Sequence, residues 1–329
     1  MKDIERTEWI DNLKGFGVLS VMLYHHAGIS GLVKDYLISF NVPLFFIVYG
    51  YLASDKKQKL STFFKKIVYP YLFFSMISIL IWIPINKTEQ NFDGITHLLL
   101  GVAYGVGSHP WLSFNIALWF LPCLFISGLI FDKIKIYSIN YPYFLLTIIF
   151  LLVIAFDKIS FRLPWGLDLA PMAILFMTIG YIARQNNIKI LSSSRHTPDV
   201  LIITIVISYL VASINGHVGM GFKEYGNIFL FVLGGLSGTL FWYVISRNYH
   251  GFISVIGRHS LILFAMHLPV YFLLNIVFLD FLKITIDLHQ PQTTIIYIVL
   301  TISLLLPLSV FSRKHLPKLI KLTAQSCKG

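Results

Sequence analysis

Ten apolar stretches run along this chain, joined by short connections that are mostly basic. They cover roughly residues 10–28, 36–54, 67–85, 114–131, 143–156, 169–183, 199–213, 227–246, 260–280 and 293–311. A helix of about 20 apolar residues crosses a hydrocarbon core about 30 Å thick. The pattern therefore predicts an all-α fold: a polytopic membrane bundle of about ten transmembrane helices. Composition agrees, since only 12% of the 329 residues are charged and mean hydropathy is +0.75, whereas a soluble domain carries about 25% charge. Residues 96–106, HLLLGVAYGVG, are too short and glycine-rich to span. They are expected to form an outer-side re-entrant or interfacial piece, with 114–131 as the fourth helix. The fifth and seventh stretches are also short, which predicts helices packed within protein rather than facing lipid throughout. Residues 1–311 form one integral domain, and 312–329 a basic cytoplasmic tail. That tail, SRKHLPKLIKLTAQSCKG, reads as a partly amphipathic helix resting on anionic lipid, or as a partner site.

The net charge of +11 would suggest nucleic acid on a soluble protein. Here the bases sit between apolar runs, so no nucleic acid is expected. With the N-terminus cytoplasmic, the connections on the outer side hold six bases: Lys34, Lys87, Lys158, Arg162, Lys223 and Lys283. Lys14 lies just inside the first helix. The remaining nineteen of the 26 lysines and arginines fall on the inner side. This asymmetry follows the positive-inside rule and puts both termini in the cytoplasm. Cys123 lies in an apolar run and Cys327 in the tail, so no disulfide is expected. The first run carries Asp11 and Lys14 near its start and ends in HHAG, so it does not read as a cleaved signal peptide. No internal repeat is evident, which disfavours transporters built on inverted repeats.

The first run, WIDNLKGFGVLSVMLYHH, is the one with chemistry in it. From Lys14 to His25 a helix turns 1100°, about three turns plus 20°, so both side chains share a face roughly 16 Å apart along the axis. Asp11 joins the same stripe three residues before Lys14. Ionisable groups at membrane depth face a bundle interior or a wet cavity. A neutral imidazole suits proton abstraction from a hydroxyl, which makes His25 a candidate base; the alternative is a packed histidine donating to a carbonyl. Lys14 is too far along the helix to touch the same atom. It either pairs with Asp11 or holds a polyanion near the inner surface. His26 lies 100° round the helix and packs or faces the outer interface.

Other stretches carry two readings each. FNVPLFFIVYGYL places Pro43 and Gly50 in the second helix, where Gly50 reads best as a packing glycine. Five lysines fall between Lys56 and Lys66, either a solvated inner loop or point charges for nucleotide phosphates. Trp119 sits where aromatic anchors are common. The loop FRLPWGLD offers Arg162, Trp165 and Asp168, which suit a sugar ligand or an interfacial anchor. IGRHSLILFAMHLPV puts Arg258 and His259 at the inner mouth of the ninth helix, with Ser260 next and His267 two turns in. A buried histidine before a proline is either functional or structural. There is no Gly-rich phosphate loop, HExxH, CxxC or GxSxG. Adjacent His25 and His26 cannot easily bind one metal from a helix, so no metal and no redox cofactor is expected.

The segment IDNLKGFGVLSVMLYHH resembles the integral-membrane acyltransferase family three, which includes bacterial O-acetyltransferases of surface polysaccharides. Its pattern is a basic residue, ten others and a histidine, here Lys14 and His25. The resemblance continues through PLFFIVYGYL, KKIVYPYL with Lys66 and Pro70, LWFL with Trp119, LPWGLD with Trp165 and Asp168, and IGRHSLILFAMH with Arg258, Ser260 and His267. It departs where many members have two arginines before the proline of the third helix; this chain has Lys66 and, earlier, Phe63. No hydrolase-like domain is appended, so the chain looks like the stand-alone form. The resemblance implies a multi-pass protein of the bacterial inner (plasma) membrane. It implies acetyl-CoA as co-substrate, with no bound cofactor, and a glycan or glycolipid hydroxyl as acceptor. His25, with Lys14 and Asp11, would be the catalytic set. Lys66, Arg258 and Ser260 would lie on the donor side, and Trp119, Arg162, Trp165, Asp168 and His267 on the acceptor or oxyanion side. Two other classes stay open: a transporter or flippase with Asp11, Lys14 and His25 lining its path, and a non-catalytic sensor or assembly subunit. The sequence leaves the oligomeric state open.

Overall fold

The computed structural model describes residues 8–86, 91–108, 111–186 and 197–315, with side chains to residue 311. The predicted tail beyond residue 315, with Cys327, lies outside the described residues, as do several of the counted bases, Lys2, Arg6, Lys87, Lys189 and Arg195 among them. In chain order the helices are α1 Glu8–Tyr24, α2 Gly31–Tyr51, α3 Leu60–Phe63, α4 Tyr69–Ile85, α5 Phe92–Tyr104, α6 Phe120–Ile134, α7 Tyr137–Asn140 and α8 Pro142–Asp157. Then come α9 Ala170–Gln185, α10 Thr197–Asn215, α11 Ile228–Asn248, α12 Ile253–Arg258, α13 Ser260–Ile276 and α14 Pro291–His315. No extended strand occurs among the described residues. Among the described residues, eight helical stretches are long and apolar enough to cross a membrane. Two more of the predicted segments form shorter helices, α1 with 17 residues and α8 with 16, and at 1.5 Å per residue these are about 25 Å long. The protein is thus a multi-pass helical membrane bundle.

α3 and α4 join through a π-helical turn, Phe64–Val68, which carries Lys65 and Lys66. Pro70 has no N–H to return to the Lys66 carbonyl, and Tyr69 N–H reaches Phe64 O in the wider register. The 96–106 stretch lies in α5, a helix of 13 residues. The Asn91 side chain caps its start by accepting from Gly94 N at 2.7 Å, and left-handed Gly105 (φ 67°) ends it. The fourth predicted span begins with a 3₁₀ turn, Ile116–Trp119, that runs into α6.

The fifth and seventh segments correct the sequence expectation. α8 buries only Ile149 and Val153 and exposes Tyr143, Phe144, Leu151 and Leu152. α10 exposes Ile202, Ile203, Val206, Leu210 and Ile214. Both are peripheral: α8 packs on α9, and α10 on α11. A short apolar run suits lipid as well as protein, so length alone did not identify the interior; α10 packs through the face of Thr204, Ser208 and Ala212, with Ser208 bonded to Ser237 of α11. The most buried span is the one ending in α9.

The chain forms two compact units. Of the described residues, one comprises those to Phe45, α10 with its flanking turn to Gly219, and those from Tyr225 on; the other comprises those from Phe46 to the end of α9, with Met220–Glu224. In the first unit α1 packs on α11, α12, α13 and α14. Backbones meet directly there: a Cβ on Gly257 would strike Asp11 O, and one on Gly15 would strike Ile253 O. Asn12, fully buried, donates from Nδ2 to Ser246 O at 3.1 Å and Tyr249 O at 2.7 Å, closing the end of α11. In the second unit α9 packs between α6 and α8. Gly50 is the packing glycine the sequence suggested, with its Cβ position against Met177 O.

Candidate active site

His25 follows the last residue of α1 rather than lying within it, but its N–H still donates to Val21 O at 3.2 Å. The helical register from Lys14 therefore carries through to it. The residue is partly exposed. The ring packs against Tyr24 (centroids 4.9 Å) and His267 (5.2 Å). His267 is fully buried in α13, and its Nδ1 lies 2.8 Å from Phe264 O and 3.2 Å from Leu263 O. A carbonyl only accepts, so Nδ1 carries the proton and donates. Nε2 of His267 is buried without a hydrogen-bond partner among the described residues. Tyr271, one turn on, donates to Met22 O at 3.1 Å and so ties α13 to the end of α1.

His26 does the structural work at this corner. It is buried, and its Nδ1 accepts from Gly28 N at 3.2 Å and meets Thr294 Oγ1 at 2.8 Å. Accepting a backbone N–H requires a lone pair on Nδ1, so the ring is the Nε2–H tautomer and the Thr294 hydroxyl donates. The ring packs on Tyr271 and Tyr297. A Cβ on Gly28 would meet Gln290 O and Thr294, so the turn after α1 fits closely against the start of α14. That start is held by Asp287, whose carboxylate accepts from His289 N (2.9 Å) and Gln290 Nε2 (3.1 Å). These bonds, the backbone one first, hold the Asp287 carboxyl below the usual aspartate range.

Beside His25 the first turn of α2 brings Lys34, whose Nζ stands 5.3 Å from the Tyr24 ring centroid. Asp35 bonds His217 Nδ1 at 3.0 Å, and the His217 ring stacks on Tyr24. Nothing in the sequence signals this rim, because His217 comes from the distant turn after α10. Along α1, Asp11 is buried and Lys14 partly exposed. Arg258 ends α12 on the surface, and Ser260 opens α13, partly exposed.

The second unit holds the other residues named from sequence. Arg162 Nε donates to Asp168 Oδ2 at 2.6 Å, and its Nη1 to Gly221 O at 2.8 Å. The Asp168 side chain is wholly buried, and its other oxygen accepts from Leu163 N at 3.3 Å. Trp165 has positive φ (58°) and donates from its indole to Ala103 O at 2.7 Å. Trp119 closes the 3₁₀ turn before α6, with its indole over Gly107 and Gly221. Arg162, Trp165 and Asp168 thus spend polar capacity on holding the 161–168 loop and its neighbours, Ala103 and Gly221. Lys66 sits partly exposed in the π turn. Nearby, a buried lysine passed unnoticed in the sequence: Lys135 pairs with Asp132 (2.6 Å) and donates to Ser54 O and to Lys56 O (3.0 Å). Asp132 also accepts from Gln58 N at 3.0 Å. The i,i+3 spacing of Asp132 and Lys135 was the available clue. This pair fixes a loop whose Lys56, Lys57 and Lys59 remain exposed.

A partly exposed histidine beside a buried one can exchange a proton with a hydroxyl, and no carboxylate bond to either ring is needed. The family model described as an acyltransferase domain matches residues 7–313. No curated protein and no solved structure gives a match.

Proposed function

The chain belongs to acyltransferase family 3 and is a membrane acyltransferase, and from that premise we propose that it moves an acetyl group from cytoplasmic acetyl-CoA to a hydroxyl of a surface or lipid-linked glycan, with His25 as general base. The observation that carries this reading is the setting of His25: partly exposed at the end of α1, in helical register with Lys14, and backed by a buried histidine. His25 takes the proton of the acceptor hydroxyl as its oxygen attacks the thioester carbonyl. The tetrahedral intermediate collapses with cleavage of the C–S bond. The departing CoA sulfur receives the proton from the His25 imidazolium, so the products are an O-acetyl ester and free CoA.

The charge asymmetry of the connections supports an inner position for the start of α1 and an outer position for His25. Lys14 and Asp11 then belong to the donor's entry side. Lys66, Arg258 and Ser260 are the donor-side candidates, with the exposed lysines 56, 57 and 59 as further phosphate contacts. The roughly 16 Å from Lys14 to His25 is a length that a pantetheine arm covers. Acceptor contacts at this corner fall to Lys34, Asp35 and His217. Arg162, Trp165 and Asp168 instead hold their own 161–168 loop in the second unit. The bacterial plasma membrane is the compartment this chemistry fits.

The test is acetyl-CoA-dependent release of free thiol in membranes bearing the protein, compared with His25→Ala. Release should fall by at least 10²-fold, in the range of a lost general base. A His25→Ala protein that remains active refutes the assignment, and substrate flux without thiol release would identify a transporter instead. Incubation with labelled acetyl-CoA alone separates direct attack from an acyl-His25 intermediate, since only the latter leaves label on the protein.

A further inference from the structure

His267 is not needed to explain the packing of α13. Leucine would fill an apolar interior without a desolvated imidazole, and an unpartnered buried polar atom is destabilising. Yet this side chain is fully buried with its Nδ1–H committed to the carbonyls of Phe264 and Leu263. That commitment leaves one free atom, Nε2, as a lone pair with no protein partner among the described residues. The ring beside it is His25, with centroids 5.2 Å apart and planes tilted by 43°. A ring nitrogen lies roughly 1.1 Å from its centroid, so a linear N–H···N bond of about 3 Å places two imidazole centroids roughly 5.2 Å apart. That separation accommodates a hydrogen-bonded pair in which each ring directs a nitrogen at the other.

We propose that His267 is a positioning residue for the transfer reaction: its Nε2 accepts the ring N–H of His25 and turns the other His25 nitrogen, lone pair outward, toward the acceptor hydroxyl. The inference rests on His25 being the base. His267 then does for His25 what a buried carboxylate does for the histidine of a hydrolase triad, fixing tautomer and orientation and receiving the second N–H of the imidazolium that forms. A neutral imidazole suits this position because a carboxylate at membrane depth carries a heavy desolvation cost. The hydroxyl proton goes to His25 and stays there until the CoA sulfur takes it. Tyr271, bonded to Met22 O and packed on the His267 ring, holds α13 and the end of α1 in mutual register.

Asparagine and glutamine separate the two ring nitrogens of His267. His267→Asn keeps a donor near the Nδ1 position and loses the acceptor at Nε2; His267→Gln puts an amide oxygen near Nε2. Thiol release at saturating acetyl-CoA is measured in membranes from the cells that make the protein, where its acceptor is present. His267→Asn should lower the maximal rate by about 10²-fold or more, by analogy with loss of the orienting member of a triad. His267→Gln should stay within about tenfold of the unsubstituted protein, with half-saturating acetyl-CoA unchanged in both. Equal rates for the two variants, or a change confined to half-saturation, overturn the proposal. If His267→Asn does not fold, as judged by size-exclusion chromatography in detergent, His267→Gln decides alone: retained activity supports the proposal, and a loss as deep as that of His25→Ala refutes it. An active His25→Ala protein sinks the parent reading. An inactive His25→Ala with a fully active His267→Asn sinks only this one.

Discussion

Asn12 offers a quantitative test of how α1 is held. Its Nδ2 makes two bonds to carbonyls at the end of α11, Ser246 O and Tyr249 O, and the residue is fully buried. Helix C-terminal carbonyls have no intrahelical partner and need one from elsewhere. Each bond contributes a net of about 0.5–1.5 kcal/mol. Asn12→Ala should therefore cost about 1–3 kcal/mol, with a midpoint near 2 kcal/mol, or roughly a 30-fold shift in the unfolding equilibrium. Asn12→Asp is the sharper perturbation. It preserves shape, removes both donors, and sets a carboxylate against two carbonyl oxygens, so it should cost more than the alanine. The assay is reversible unfolding of the purified protein in bicelles, followed by tryptophan fluorescence. If Asn12→Asp is as stable as the unsubstituted protein, the bonding scheme at this helix end is wrong. If it is destabilised less than Asn12→Ala, the two carbonyls are not what the side chain serves.

Four further outcomes are expected. Arg162→Leu leaves the Asp168 carboxylate buried and unpaired and should destabilise by about 3–5 kcal/mol; adding Asp168→Asn should restore part of this in thermal unfolding, and no restoration would remove the pair from the account. His26→Phe strands the Gly28 N–H and the Thr294 hydroxyl and should cost about 1–3 kcal/mol, read as a lowered melting temperature. Gly257→Ala places a methyl against Asp11 O, a backbone atom that cannot swing aside, and should cost about 1–3 kcal/mol by the same measurement. For Asp287, a folded-state pKa below the unfolded value near 3.9 means its stabilisation is complete well above that value and vanishes as pH falls through the lower, folded-state one. Asp287→Ala should therefore melt below the unsubstituted protein at pH 7 and pH 5, with the two converging below pH 4; a constant gap at all pH values would contradict this.

Some of this could be read directly from the sequence because it depends on spacing and on solvent. A run of about 20 apolar residues has few choices in lipid, so the ten segments and the register from Lys14 to His25 follow from local rules. The loop FRLPWGLD was legible as a polar constellation but not as a closed one. Whether Arg162 meets a ligand or Asp168 depends on a turn at Trp165 with positive φ, which composition does not reveal. The peripheral placement of α8 has a related reason: when nearly every face of a helix is apolar, no stripe marks the side that packs. In α10 the spacing of Thr204 and Ser208 does mark the packed face, but not how little of the helix it covers.

Sequence alone therefore determined a helical membrane protein whose first helix leads into His25, since burying the backbone in hydrocarbon permits little else. What stands beside His25 was a matter of tertiary structure. His267 lies far away in sequence, and only the packing of α13 on α1, with Tyr271 bonded to Met22 O, brings its one uncommitted nitrogen to the end of that helix.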